Sequence, residues 1–252
     1  MPELYEEIAS IYHLVYPDWG AAIDQQASAL DAIFGQWVGS PPLSVLDVSC
    51  GIGTQTLGLA ALGHRLTASD VSIAAVERAR REASQRWLSI EFRVGDMRSC
   101  RDLHGSVFDV VLSADNAVPH LLSDEAILEA FRGFHECLRP GGVAVVTVRD
   151  YLPDEDRLSP QLWPYGFRTD GDSRYFVVQT RDWDGDVYDV AMYFIREARG
   201  EQPAKVVAGS SRYRAVTTDR LQSLFREAGF DETHRLDGSF FQPVVLARRA
   251  TG

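Results

Sequence analysis

The sequence predicts an α/β protein whose mostly parallel sheet carries helices on both faces. Three observations point there. Apolar strand-like runs alternate with helical patterns from residue 43 to residue 150. After Asp150 the pattern turns into segments that suit antiparallel pairing. A helix and a final apolar pair of runs then close the chain. Alternation of this kind implies right-handed crossovers, with a ligand crevice at the carboxyl ends of the strands.

Each element has its own signal. Residues 3–16 place Leu4, Ile8, Ile11, Tyr12 and Val15 at helical spacing, and 20–37 read as a second helix closed by Gly39 and "SPP". "LSVLDVS" (43–49) reads as a buried strand, and "TQTLGLAALGH" (54–64) as a helix ending at Gly63. "RLTASD" (65–70) is a second strand. Ser72 caps a helix over 73–86 that Glu77 and Arg81 support as a pair. Strands follow at 90–96 and 108–115, then a helix from Ser123 that Pro140-Gly141-Gly142 stops, then a strand at 143–149. "YLPDEDRLSPQLWPYGF" reads as a Pro-rich loop ahead of antiparallel strands at 174–181, 187–197 and 205–215, with "DWDGD" as a hairpin turn. Residues 217–230 form a helix with Thr218 as N-cap, and "ETHRLDG" with "FQPVVLARR" forms the closing strand pair.

Composition excludes several classes. The formal charge of −11 argues against a nucleic-acid partner, which needs a positive field. Cys50, Cys100 and Cys137 form no metal-ligand pattern, and their odd number argues against a disulfide framework. No apolar run reaches membrane-spanning length, so a cytoplasmic protein without metal or membrane partner is expected. A homo-oligomer is compatible with all of this.

"VLDVSCGIGTQ" (45–55) combines a strand, an acidic residue near its end and a Gly-x-Gly turn into a helix. Glycines at Gly51 and Gly53 let backbone approach a ligand closely. A dinucleotide fingerprint wants a third glycine where Thr56 stands, and Asp47 would repel a pyrophosphate, so a nicotinamide dehydrogenase is disfavoured. Asp70 ends the second strand, where a carboxylate can accept both hydroxyls of a ribose. Asp96, after the third strand, suits an adenine amino group, with Met97 against the ring.

As a set, "LDVSCGIGTQ", "ASD", "GDM", "FDVVLS" and "LRPGG" resemble the class I S-adenosylmethionine-dependent methyltransferases. The resemblance implies a Rossmann-like seven-stranded methyltransferase sheet with its last strand antiparallel, N-terminal helices and an antiparallel β meander covering the active site. It divides the chain into a helical cap (1–42), a cofactor-binding core (43–150), a meander substrate cover (151–216) and a completion of the core sheet (217–252). The meander is expected to insert into the main sheet. The cofactor implied is S-adenosyl-L-methionine. Gly51, Gly53, Asp70, Asp96 and Met97 take the family's binding roles, with Tyr12, Asp47, Ala114 and His120 also placed on the cofactor side.

"DNAVPHLL" (115–122) and "VTVRDY" (146–151) look like glycine and glycine/sarcosine N-methyltransferases. That likeness implies Asn116 and Arg149 at the amino-acid acceptor, with Arg149 pairing a carboxylate through its planar fork. It also implies a tyrosine-walled pocket, for which Tyr16, Tyr193 and Tyr213 match best. The expected activity is N-methylation of a small-molecule amine such as glycine or sarcosine. The alternatives are N-, O- or C-methylation of a larger secondary metabolite or aminosugar, and non-catalytic binding of S-adenosylmethionine. "GAAIDQQ" departs from the family in offering only Gln25 and Gln26 where a basic residue should meet the cofactor carboxylate.

Overall fold

A computed structural model describes residues 3–151, 159–198 and 203–252. The chain opens with α1 (Glu3–Ile8), a single 3-10 turn at Tyr12–Val15 and α2 (Trp19–Trp37). The one helix expected over 3–16 is thus broken between residues 9 and 11. The break keeps Leu4, Ile8 and Leu14 buried while Tyr12 and Tyr16 turn towards the sheet edge.

The core then alternates: β1 (Ser44–Asp47), α3 (Thr54–Ala61), β2 (Arg65–Asp70), α4 (Ile73–Gln85) and β3 (Glu91–Val94). A short α5 (Cys100–His104), absent from the sequence reading, leads into β4 (Phe108–Ser113), α6 (Asp124–Cys137) and β5 (Leu138–Thr147). β5 starts five residues earlier than expected. Leu138 pairs with Phe108 and Val143 with Val110, so Arg139 to Gly142 form a bulge within the strand rather than a stop before it. On α4 the ion pairs are Arg78–Glu82 and Arg86–Glu82, not Glu77–Arg81.

A meander of β6 (Gln161–Asp170), β7 (Ser173–Asp184), β8 (Val187–Arg196) and β9 (Lys205–Arg214) follows. It is a separate four-stranded antiparallel sheet in the order β6-β7-β8-β9, which corrects the expected insertion into the main sheet. β6 takes up the stretch read as a loop from residue 161 onward; of the remainder, 152–158 lies outside the described residues. The chain ends with α7 (Thr218–Glu227), capped by Thr217 rather than Thr218, and the pair β10 (Glu232–Leu236) and β11 (Val244–Arg248).

The main sheet runs β10-β11-β5-β4-β1-β2-β3. Its strands are parallel except β11, the last in the chain, which is antiparallel to both neighbours. Both faces are buried, as parallel strands require. Phe131, Phe134 and Phe225 of α6 and α7 pack on Val111, Val146 and Val245, and Leu30, Phe34 and Leu59 of α2 and α3 pack on Val45, Leu112 and Val145. A separate cluster joins Leu4, Ile8 and Leu14 to Val177, Val190 and Phe194, so the N-terminal segment is held by the meander. No helix among the described residues is long and apolar enough to cross a membrane.

Candidate active site

The carboxyl ends of β1, β2 and β4 open into two adjoining chambers of about 430 and 950 Å³. Tyr5, Tyr12, Tyr16 and Asp115 line both, so the two chambers adjoin at these four residues. Both volumes lie in the range of small-molecule sites, about 300–1,000 Å³.

The first chamber lies over the glycine turn. Gly53 sits at φ 97° and caps α3, a conformation that an L side chain rarely adopts. The Gly51 amide donates to Oδ2 of Asp70 at 2.8 Å, and the Ser72 amide donates to Oδ1 at 3.0 Å. Burial pushes the Asp70 carboxyl above its ordinary value, against these amide bonds. Gly51, Asp70, Asp96, Met97, Ala114 and His120 line this chamber. Both Asp96 oxygens meet the Arg98 guanidinium, and the Arg98 amide donates to Oδ1, which together hold the Asp96 carboxyl below its usual range despite partial burial.

Two residues expected at the cofactor lie behind the turn instead. Asp47 is 1% exposed and lines neither chamber; its Oδ2 accepts from the Thr56 hydroxyl at 2.6 Å and its Oδ1 from the Ser49 amide at 3.2 Å. Burial raises its pKa to about 7. Asp47 therefore braces the loop from below. Gly53 also lines neither chamber, and a Cβ there would stand 3.1 Å from Leu57.

His120 bridges the chamber wall and the meander. Its Nδ1 is 3.1 Å from the Ser211 hydroxyl, its Nε2 is 3.5 Å from the Tyr5 hydroxyl, and Tyr5 meets Tyr213 at 3.1 Å. Burial lowers its pKa to about 4, so the ring is neutral at pH 7.

The second chamber is walled by Arg149, Tyr165, Gln179, Tyr213, Phe240 and Gln242, among others. Asn116 lines this chamber too, though it is only 2% exposed, and its side chain also holds the scaffold. Oδ1 accepts from the Arg149 amide at 2.9 Å, and Nδ2 donates to the Tyr151 hydroxyl at 3.0 Å. The Tyr151 hydroxyl in turn meets Tyr188 at 2.5 Å, and Arg149 Nη1 donates to Tyr188 at 3.4 Å. Among the described residues no carboxylate pairs with Arg149.

Tyr193 is corrected. It stands one residue out of phase with Val190 and Met192, which line the second chamber, and therefore lies on the other face of β8. On the inner face of β8 stands Tyr188, which lines neither chamber but backs Arg149; it is 1% exposed and stacked on Tyr213 with ring centroids 5.3 Å apart. The alternation along "VYDVAMYF" was the signal that separates the two. Asp115 was also missed as a site residue. It and Asn116 take φ values of 56° and 65°, the left-handed region that Asp and Asn tolerate best among side-chain-bearing residues. Thr147 holds this turn: its Oγ1 accepts from the Asp115 amide at 2.8 Å and its carbonyl from the Asn116 amide at 3.0 Å. Gln25 and Gln26 border the second chamber, and Gln26 accepts from Gln55 at 2.6 Å, so neither meets the glycine turn as a cation would.

A family model described as a methyltransferase domain matches residues 45–142. The chain is 32% identical over 217 residues to a cypemycin N-terminal methyltransferase of a Streptomyces species, covering 84% of this chain and 83% of that one. A ubiquinone biosynthesis O-methyltransferase of Cereibacter sphaeroides is 27% identical over 80% of this chain, and the match spans only 65% of that protein's length. A glycine/sarcosine N-methyltransferase of Parasynechococcus marenigrum is 30% identical over a shorter stretch, 43% of this chain and 38% of that one. The solved structure of DesVI from Streptomyces venezuelae has the same fold, with a TM-score of 0.82 at 21% identity over 96% of this chain and 98% of that one.

Proposed function

This chain belongs to the class I S-adenosylmethionine-dependent methyltransferases, and from that premise we propose that it methylates the nitrogen of a small-molecule amine that carries an anionic group. The observation that carries this reading is the pair of chambers that adjoin at Tyr5, Tyr12, Tyr16 and Asp115, with Arg149, which pairs with no carboxylate among the described residues, lining the second. S-adenosylmethionine, when bound, supplies a methyl group already activated on a sulfonium.

The first chamber suits that nucleoside. Asp70 keeps lone pairs free beyond its two amide bonds and accepts the ribose hydroxyls. Asp96 and Met97 flank the adenine, while the turn at Gly51, with Tyr12, Ala114 and His120, borders the methionine part. In the second chamber Arg149 grips the acceptor's carboxylate, and Asn116 fixes the backbone from which that arginine extends. Tyr16 and Tyr213 wall off water and orient the amine. Displacement at a methyl carbon needs the nucleophile in line with the departing sulfur, so the protein contributes chiefly by positioning.

A specific observation bears on acceptor size. A chamber of about 950 Å³ is far larger than glycine or sarcosine fills, which favours a bulkier amino acid. The match to the cypemycin N-terminal methyltransferase, which spans most of both chains, supports an amine acceptor.

The test is incubation with methyl-labelled S-adenosylmethionine and a panel of glycine, sarcosine, larger α-amino acids, a peptide with a free N-terminus, aminosugars and phenols. Label on an amine nitrogen is expected. Label on phenols alone overturns the amine reading, and binding without transfer to any panel member favours the non-catalytic alternative.

A further inference from the structure

We propose that Asp115 is the acceptor's ammonium site: its carboxylate binds the protonated amine where the chambers adjoin and takes the proton that nitrogen must lose before attack. This rests on the amine reading above and assigns it a residue.

Position comes first. Asp115 is the one acidic residue among the four that line both chambers, and the transferred methyl has to cross where they adjoin. Its backbone is held at φ 56° by the Thr147 hydroxyl. Strain of this kind persists where surrounding structure enforces it, and it clusters at functional sites.

The carboxylate's partners are the second observation. Oδ2 accepts from the Tyr16 hydroxyl at 3.3 Å and Oδ1 from the Gln242 amide at 3.2 Å, both neutral donors. Gln242 is itself fixed, because Thr147 Oγ1 donates to its Oε1 at 3.0 Å. Among the described residues no cation lies within ion-pair distance of Asp115. The other two carboxylates lining the first chamber are already engaged, Asp70 by two amides and Asp96 by Arg98. Asp115 is only partly buried, yet its carboxylate is held by neutral donors alone, and a cationic ligand would supply the counter-charge it lacks.

The charges facing Asp115 are consistent with this role. Tyr5, Tyr12 and Tyr16 from the N-terminal segment and Tyr165 from β6 all have hydroxyl pKa values raised by burial, so they are neutral at pH 7. Arg149 is the opposing fixed charge. Burial also lifts the Asp115 carboxyl above its ordinary value, which strengthens it as a proton acceptor. Arg149 and Asp115 both line the second chamber, a cation and an anion that a zwitterion can meet with its carboxylate and its nitrogen.

The step balances without a further reactant. The ammonium gives its proton to an Asp115 oxygen. The freed lone pair forms the N–C bond as the C–S bond breaks, and the bonding electrons stay on sulfur, which becomes a neutral thioether. The positive charge moves to the methylated nitrogen.

Methylammonium chloride, the smallest cation of the class, is titrated into the wild-type protein saturated with S-adenosylhomocysteine, and into Asp115→Asn under the same conditions. Amide NMR signals report binding, with potassium chloride as the ionic control. Saturable shifts around residues 113–120 are expected in the wild type, with affinity at least about 30-fold weaker in the variant. S-adenosylhomocysteine affinity of the variant, unchanged within about threefold, shows that it folds.

For whichever amine the panel shows to be methylated, kcat/KM of the variant at pH 7 falls at least about 30-fold and recovers about tenfold per pH unit towards the amine's own pKa. No saturable shift in the wild type, or equal shifts in both proteins, overturns the proposal. So does a variant that loses S-adenosylmethionine affinity but not S-adenosylhomocysteine affinity, because Asp115 would then be the sulfonium's counter-ion. Methylammonium binding through Asp115 with no amine methylated supports the ammonium site while defeating the amine-transfer reading.

Discussion

The Gly51 amide donates to the Asp70 carboxylate at 2.8 Å, across 19 residues of sequence. A turn after β1 and the tip of β2 are therefore one unit. The same carboxylate that fixes the turn is the one aimed at a ribose. Replacing Asp70 with Ala removes the ligand contact and leaves the Gly51 amide without its partner. Charge-assisted hydrogen bonds contribute about 1.5–3 kcal/mol each, so S-adenosylhomocysteine affinity should fall about 30- to 100-fold by calorimetry. A loss below about threefold would show that Asp70 does not touch the nucleoside.

Asp47 gives a pH signature. Its folded pKa is about 7 against an ordinary 3.8, so the unfolded chain releases this proton first. Its contribution is absent below the unfolded value. It turns destabilising as pH rises from about 4 to about 7 and stays constant above, reaching on the order of 2–4 kcal/mol. Asp47→Asn cannot ionise. Its stability relative to wild type should climb across that window and level off beyond it, apart from a constant offset for altered bonds to Ser49 and Thr56. His120, whose pKa is lowered to about 4, acts in the opposite direction over much of the same range. It is common to both proteins and cancels in the difference. Urea titrations at several pH values read the effect.

Gly58 marks the close approach of α3 to α2. A Cβ there would stand 2.5 Å from the Ala27 Cβ and 2.7 Å from the Ile23 carbonyl oxygen. Alanine gains about 1 kcal/mol of helix propensity, while overpacking costs about 1–3 kcal/mol. Backbone oxygen cannot move aside cheaply, so Gly58→Ala should lower stability by about 1 kcal/mol, seen as a lower urea midpoint at unchanged slope.

Arg149 separates acceptor from cofactor. Arg149→Ala should raise acceptor KM about 30- to 100-fold, through loss of a charged, bidentate contact, while S-adenosylhomocysteine affinity stays within about threefold. Arg149→Lys keeps the charge and loses the fork, so its KM should fall between. Equal losses in both constants would place Arg149 in the scaffold alone.

Much of the core was legible because its signals are local. Strand and helix periods differ, and Ser72 and Ser123 cap α4 and α6 as their positions suggest. The failures have physical causes. β6 carries Pro164 and is mostly exposed, so nothing in its pattern separates a strand from a loop. The bulge at 139–142 hides inside a Pro-Gly-Gly run that normally ends an element. Tyr188 and Tyr193 are equally plausible by residue type; their separation of five residues puts them on opposite faces, and only the strand's phase says which faces the site. Asp115 was visible beside Asn116, but its carboxylate's setting depends on Tyr16 and Gln242, which lie 99 and 127 residues away.

The central claim is that the glycine turn and Asp70 grip one adenosyl sulfur nucleoside. Calorimetric titration of S-adenosylhomocysteine into wild type and Asp70→Ala tests it most directly. Binding of one equivalent to the wild type, weakened about 30-fold or more in the variant, is the result expected. A wild-type protein that is folded and takes up no S-adenosylhomocysteine would contradict the account.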